Sequence, residues 1–392
     1  MQNKKKPISG PAGSLVVGIL PTGCDLCMKG MKLVYFMGGD CSHPSHCKWY
    51  CPISPERRSP NAHFADEIPI KNFTSIKKTV EKLVYEAKNI DAKGMSFTGG
   101  DPLSTPAKRD RVIALIQAMK IEMGDDFHIH LYTSGTNFDV VTASKLEAAG
   151  LDDLRFHPSE KDFFRIEFAT GRKYTVAGEV PVIPTEENFM YLLKLADHLD
   201  MIGADFLNLN EFEICAPNQK ELIKRKFRLK ENSIAAVDGS RRYAIRFLEE
   251  FRPRGGLTIH FCPAAVKDGI QIRERYIRRA NHIRNEYEEI SEDGCLLFLQ
   301  IQGSVQEVKN LYETLLKDSE MPKNLLEFNP SKGTLDVPSF LSTDENFLEL
   351  LKDYRVKAGI YEILPFREPE CAQIREYTPI MDNIKSKFSK MG

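Results

Sequence analysis

Residues 94–156, GMSFTGGDPLSTPAKRDRVIALIQAMKIEMGDDFHIHLYTSGTNFDVVTASKLEAAGLDDLRF, alternate two hydrophobic periods. Short apolar runs at 94–98, 128–133 and 153–156 have the length of strands. Between them, 109–123 and 140–149 repeat apolar residues at helical spacing. The same rhythm continues outward, with a strand at 32–37 and a helix at 73–89 on one side. On the other side come a strand at 179–183, a helix at 187–202 and a strand at 206–210, then a helical insertion at 219–252 and a strand at 257–261. Strand and helix in such alternation predict an α/β fold with a parallel sheet and crossover helices, and the repeat count suggests a partial or full β/α barrel.

The tail follows a different order. A strand at 295–301, a helix at 305–316 with Ser304 as N-cap, strands at 324–328 and 333–337, a helix at 344–353 and a strand at 356–364 read β-α-β-β-α-β, the ferredoxin-like order. The expected division is a segment 1–32, a barrel domain 33–290, an accessory α/β domain 291–365 and a tail 366–392.

With 42% hydrophobic and 28% charged residues among 392, the chain has the composition of an ordinary globular core. A formal net charge of −1 supplies no whole-molecule field toward nucleic acid or membrane. The apolar run Leu15–Leu20 is far short of the roughly 20 residues a bilayer needs. Lys4, Lys5 and Lys6 precede no signal-peptide core with a cleavage site, so a cytoplasmic, reducing location is expected.

Five of nine cysteines fall between Cys24 and Cys51, more than a reducing compartment would turn into disulfides. Cys41, Cys47 and Cys51, spaced C-x5-C-x3-C, sit on the loop after the first barrel strand, at the end where such barrels carry their sites. Three thiolates suit three irons of a [4Fe–4S] cube with the fourth left open. A zinc knuckle using His43 or His46, or incidental thiols, are the alternatives. Gly99, Gly100 and Asp101 form a turn after the next strand, where glycines permit close approach and a carboxylate can receive an ammonium. Cys24 and Cys27 make a separate C-x-x-C, and Cys262 ends a strand of the same barrel, so these three could form a second site for zinc or an auxiliary iron–sulfur cluster. Otherwise they are buried thiols, as Cys215, Cys295 and Cys371 are expected to be. His128 and His130 share one face of their strand, which suits hydrogen-bonded core residues better than metal ligands. Thr133, Ser134, Asn208, Asn210, Glu211, Arg155 and His157 lie at strand ends and are expected to face the site.

These pieces resemble the radical S-adenosylmethionine (SAM) enzymes. LPTGCDLCMKGMKLVYF, YCPIS, FADEIPI, FTGGDPL, HIHLYTSG, AAGLDDLRFHP, FLNLNEFE and HFCPAAVKDGIQIRERYIRRA, in that order, are similar to archaeal proteins related to pyruvate formate-lyase activating enzyme. The resemblance implies that Cys41, Cys47 and Cys51 ligate the cluster and that its open iron takes the amino and carboxylate groups of SAM. Reduction would then cleave SAM to a 5′-deoxyadenosyl radical that abstracts hydrogen from a substrate. It implies that Asp101, with Gly99 and Gly100, contacts the methionyl ammonium and that Tyr50 flanks the adenine. Thr133 and Ser134 would meet the ribose or carboxylate, and Asn208 and Glu211 would border the cofactor. Reduced ferredoxin or flavodoxin would supply the electron. The substrate, whether a small molecule, a protein or a tRNA, is left open. One departure is plain: the family spacing is C-x3-C-x2-C, and both gaps are longer here.

The competing class is a non-catalytic, metal-stabilised binding protein. Its working surface would be the basic segment 219–284, a nucleic-acid or phosphate-binding face in which Arg273, Arg275, Arg278 and Arg279 lie close together and Arg275, Arg278 and Arg279 would share one helix face.

Overall fold

The computed structural model describes residues 6–41, 45–317 and 321–382, leaving aside the side chain of Asp268. Two units divide the chain at Ile272 and Arg273, earlier than the expected boundary near 290.

In the first unit seven strands alternate with helices because their sequences alternate period two with period 3.6. The strands are β1 (Lys32–Met37), β2 (Gly94–Thr98), β3 (His128–Thr133), β4 (Asp153–Phe156), β5 (Thr175–Val182), β6 (Phe206–Glu211) and β7 (Thr258–Cys262). They pair in parallel in the order of the chain, β1 beside β2 through to β7. Antiparallel pieces finish each edge: His63–Ala65 pairs with β1, and Leu15–Val17 pairs with β7. Among the described residues this sheet has eleven strands, and its pairing path is open at both ends.

One face of the sheet is apolar. Leu33, Tyr35, Met95, Phe97, Ile129, Leu131, Leu154, Phe156, Leu207, Leu209, Ile259 and Phe261 are buried against the crossover helices in a single core. Those helices include α2 (Ile76–Asn89), α3 (Pro106–Met123), α4 (Val140–Ala149) and α5 (Glu186–Met201). Each starts at a capping side chain: Ser75, Thr105, Asp139 and Thr185 accept from the backbone N–H three residues on. The Asp139 bond to Thr142 N is the shortest at 2.7 Å. Asp139→Ala is therefore expected to destabilise the unit by about 1 kcal/mol in urea unfolding, with the slope unchanged. Between β4 and β5 the crossover is a 3-10 helix, Glu160–Ala169, whose buried Phe163, Ile166 and Ala169 recur every three residues, as its tighter turn requires.

The opposite face is polar. Lys32, Ser96, His130, Asp153, Arg155, Asn208 and His260 alternate with the apolar set and are buried. A short helix, α1 (Thr22–Met28), carries Cys24 and Cys27 and packs over this face. It fits because Gly23 has no side chain: a Cβ there would stand 2.5 Å from Arg155 Nη2 and 2.7 Å from Lys32 Nζ.

The second unit has the order strand, helix, strand, strand, helix, strand. Its strands are β8 (Leu296–Gly303), β9 (Glu327–Asn329), β10 (Thr334–Val337) and β11 (Val356–Ile363). They pair antiparallel in the order β9-β10-β8-β11, and a further strand, Ile374–Asp382, pairs with β11 inside the stretch expected as a tail. Ser304 caps the helix Val305–Lys317 by accepting from Glu307 N at 3.2 Å. The expected basic face is corrected here. Arg279 is only 1% exposed, with its guanidinium 4.5 Å from the Phe366 ring centroid and bonded to Glu368, and Arg275 is buried too. Burial of both, and the Glu368 partner of Arg279, remove them from an exposed face with Arg278. No helix among the described residues is long and apolar enough to cross a membrane.

Candidate active site

The loop after β1 is tied to the turn after β2 by backbone. Gly100 N donates to Gly38 O at 2.7 Å, Asp101 N donates to Asp40 O at 3.0 Å, and Lys108 pairs with Asp40 at 2.6 Å. The glycines are there for space. A Cβ on Gly100 would stand 1.9 Å from the Asp40 carbonyl oxygen, and one on Gly39 2.0 Å from that of Arg57. Gly99 also needs its left-handed φ of 128°.

Asp101 lies in this turn, 3% exposed, and its carboxylate is fully used. Oδ1 accepts from Leu103 N at 3.0 Å and Thr133 Oγ1 at 2.9 Å; Oδ2 accepts from Ser134 Oγ at 2.5 Å and Ser134 N at 3.3 Å. The structure thus brings Asp101, Thr133 and Ser134 into one cluster. The two hydroxyls give their protons to the carboxylate, while Thr133 Oγ1 accepts from Gly135 N at 3.1 Å and Ser134 Oγ from Thr136 N at 3.3 Å.

Cys41 follows the tied segment directly. Burial pushes its thiol up to about 12, and Cys47, Asp101 and Cys51 add to the effect. Cys47 is raised for the same first reason, against a contact from Ser45 Oγ at 3.3 Å. Cys47 and Cys51 therefore stand close enough to oppose the ionisation of Cys41, and Cys51 that of Cys47. The His46 ring centroid lies 5.2 Å from that of His157, and His43 lies outside the described residues. Tyr50 donates to or accepts from His157 Nε2 at 2.8 Å, and its backbone oxygen accepts from Asn218 Nδ2 at 3.0 Å.

Two cavities meet at Tyr50, His157 and Pro181. One, of about 730 Å³, lies over the ends of β4 and β5, with Trp49, Tyr191 and Phe227 in its wall. The other, of about 430 Å³, lies on the polar face of the sheet. Cys24, Cys27 and Cys262 all line this second cavity, together with Asn208 and Glu211. Burial pushes Cys24 up to about 11, partly offset by Arg155, and Cys262 is raised by burial as well. Among the described residues no three His, Cys, Asp or Glu side chains are drawn together at the spacing of a single-ion site.

Arg155 is the electrostatic centre of the second cavity. It bonds Asp153 Oδ2 through Nη2 at 2.7 Å and Nε at 2.9 Å, and Glu179 Oε2 through Nη1 at 2.8 Å. Lys32 contacts His130 Nδ1 beneath it. Burial, and after it Arg155, lowers Lys32 to about 8. Lys32, Glu179 and His260 were not among the residues singled out from sequence. The signal that could have found them is polar residues at alternate positions on strands of a parallel sheet, whose strands usually read as apolar throughout.

The chain is 37% identical over 323 residues to a Methanocaldococcus jannaschii protein, a match covering 79% of this chain and 81% of the relative. That relative carries the provisional name of a glycyl-radical enzyme activating enzyme, a group within the radical SAM enzymes. This chain belongs to that family. It is a radical SAM enzyme, and the family's cofactors are a [4Fe–4S] cluster and SAM. No family model matches the chain. Among solved structures, the radical SAM methyltransferase TsrM of Kitasatospora setae aligns with 71% of this chain and 58% of its own, at 11% identity and a TM-score of 0.35. D-glucarate dehydratase of Agrobacterium tumefaciens aligns with 58% of this chain and 55% of its own, at 11% identity and a TM-score of 0.28. Both are too distant to carry residues across.

The donor set fits the cluster. Cys41 and Cys47, kept protonated by burial, have a chemical reason to lose their protons only to a metal.

Proposed function

We propose that this radical SAM enzyme holds a [4Fe–4S] cluster on Cys41, Cys47 and Cys51, within a β/α barrel followed by a ferredoxin-like accessory domain. When bound, the cluster and SAM supply a 5′-deoxyadenosyl radical on one-electron reduction, and that radical takes a hydrogen atom from a substrate. The observation that carries this reading is the backbone lacing of residues 38–40 onto the turn 99–101, which sets the first cysteine beside the buried Asp101.

The residues divide the work. Asp101, braced by Thr133 and Ser134, lies at the turn where the methionyl ammonium of SAM would be received; Gly99 and Gly100 let the backbone come close. Tyr50, with Trp49 and Tyr191, offers aromatic surface for the adenine in the larger cavity. Asn208 and Glu211 fall on the smaller cavity, where substrate rather than cofactor is the better occupant. A reduced ferredoxin or flavodoxin is the proposed electron donor. The relative's name would make a protein glycine the hydrogen donor.

Anaerobic reconstitution with iron and sulfide, then SAM and dithionite, tests the reading by chromatography of 5′-deoxyadenosine. The wild type is expected to form it and Cys47→Ala to fall to background. A fully loaded cluster that neither binds nor cleaves SAM would return the chain to the binding-protein class.

A further inference from the structure

Beyond β6 the chain leaves the sheet for the segment 212–237 before it enters the helix Ser240–Glu250. The base of that segment is pinned by backbone: Val237 N donates to Phe212 O and Ile214 N to Ala235 O, both at 2.8 Å. Phe212, Leu222 and Val237 form a small core with Ile183, and Trp49, Tyr50, Ile214 and Phe227 pack against it. Trp49 and Tyr50 belong to the cysteine loop. That loop and the segment 212–237 therefore share a core distinct from the one under the sheet.

Asn218 is the joint between them. It stands at the N-cap of Gln219–Lys224, where an asparagine ordinarily accepts from N–H groups of its own helix. Among the described residues its side chain makes no such bond. Instead Nδ2 donates to Tyr50 O at 3.0 Å and to Glu213 O at 3.1 Å, while Oδ1 accepts from Cys215 N at 2.9 Å. Two carbonyl oxygens on one side and an N–H on the other permit only this orientation of the amide. The residue is 4% exposed, so its bonds meet little competition from water. The peptide it holds is the one that leads into Cys51.

The gap between Cys47 and Cys51 holds one residue more than the family spacing. Tyr50 N donates to Cys47 O at 3.1 Å, which folds residues 47–50 into a turn and takes up the extra length. Trp49 is seated against the segment 212–237. Its ring lies 17° from parallel with Phe227 at 6.2 Å between centroids, crosses Phe212 at the same distance, and has the Arg225 guanidinium 4.2 Å above it.

We propose that the segment 212–237 is the seat of the cluster loop, with Asn218 and Trp49 as positioning residues that hold Cys51 in place across the lengthened gap. They act through the backbone of the loop, not on the reacting atoms. The seat is made of protein groups alone, so it is in place before iron arrives. The rival role for the same contacts is plain packing, which would leave the cysteines indifferent to their loss. As a statement about the cluster, the inference rests on the reading of Cys41, Cys47 and Cys51 given above.

Trp49 is the single tryptophan of the chain, so its fluorescence reads the seat in metal-free protein. Anaerobic metal-free wild type is expected to emit to the blue of the urea-unfolded chain and to be shielded from acrylamide. Asn218→Asp keeps the acceptor for Cys215 N but sets an oxygen against two carbonyls, and Phe227→Ala removes the stacking partner. Each should raise acrylamide quenching of the folded protein roughly twofold. After reconstitution each should carry about half the wild-type iron or less, and its reduced cluster should give an altered electron paramagnetic resonance line shape. Phe227→Tyr, which keeps the ring, should restore shielding and iron. If Asn218→Asp fails to fold, the two Phe227 variants still decide. A tryptophan as open in the wild type as in the unfolded chain overturns the proposal, as does unchanged quenching in both disruptive variants. Iron lowered with a wild-type line shape assigns the contacts to packing and overturns it too. Shielded tryptophan in a wild type that takes up no iron sinks the cluster reading alone; full iron in the unseated variants sinks this one alone.

Discussion

Gly100→Ala is expected to cost about 3 kcal/mol or more in stability and to strip the cluster site of most of its iron. The added methyl would lie 1.9, 2.5 and 2.8 Å from the O, C and N atoms of Asp40. All three are backbone, so no side chain can swing aside. The loop 38–40 must move outward, which breaks the Gly100 N to Gly38 O and Asp101 N to Asp40 O bonds. Cys41 is the next residue, so the first ligand moves with the loop. Urea unfolding and iron counting after reconstitution give independent readings. Gly269→Ala is the control, because a Cβ there meets nothing within 4 Å at an ordinary φ. It should leave both readings where they were. Full iron in Gly100→Ala would mean that the lacing does not position the cysteine.

Much of this was legible because local pattern and tertiary role agreed. Strands 94–98, 128–133 and 153–156 and helix 140–149 match their expected limits, since a buried outer face forces period two and each helix begins or ends at a capping residue. The tail between 366 and 392 hid a strand, Ile374–Asp382, because most of its residues are exposed and no apolar alternation marks an edge strand of that kind. The C-x-x-C lies on a helix that the local pattern did not announce: seven residues beginning after Pro21 carry too little apolar periodicity. At the site, clustered cysteines and the Gly-Gly-Asp turn were visible as motifs. The polar group of Arg155, Glu179 and His260 was not, because its members are far apart in sequence and only strand register joins them: Asn208 stands beside both Glu179 and His260.

Arg155→Met is expected to destabilise the first unit by about 3–5 kcal/mol at neutral pH, more than loss of any exposed ion pair. The guanidinium is 2% exposed and serves two carboxylates, Asp153 and Glu179. Taking it away leaves both buried without it. His130 stands 4.0 Å from Asp153, but burial alone still works against its charge once the arginine is gone, so it offers no ready replacement. The pH dependence identifies the cause. In the wild type burial works against the charge on Glu179, but Arg155 and the Asn210 amide outweigh it and hold the carboxyl below its ordinary value. Such a group stabilises the fold above its unfolded pKa of about 4.3 and loses that contribution as pH falls through the lower folded value. Without Arg155, burial prevails and the folded value rises above the unfolded one. The sign then reverses: stability is retained below about pH 4.3 and lost as pH climbs through the raised value. The gap between wild type and variant should therefore be widest near pH 7.5 and narrower at pH 5 in urea unfolding. A gap that stays constant with pH would assign the loss to packing of the arginine stem.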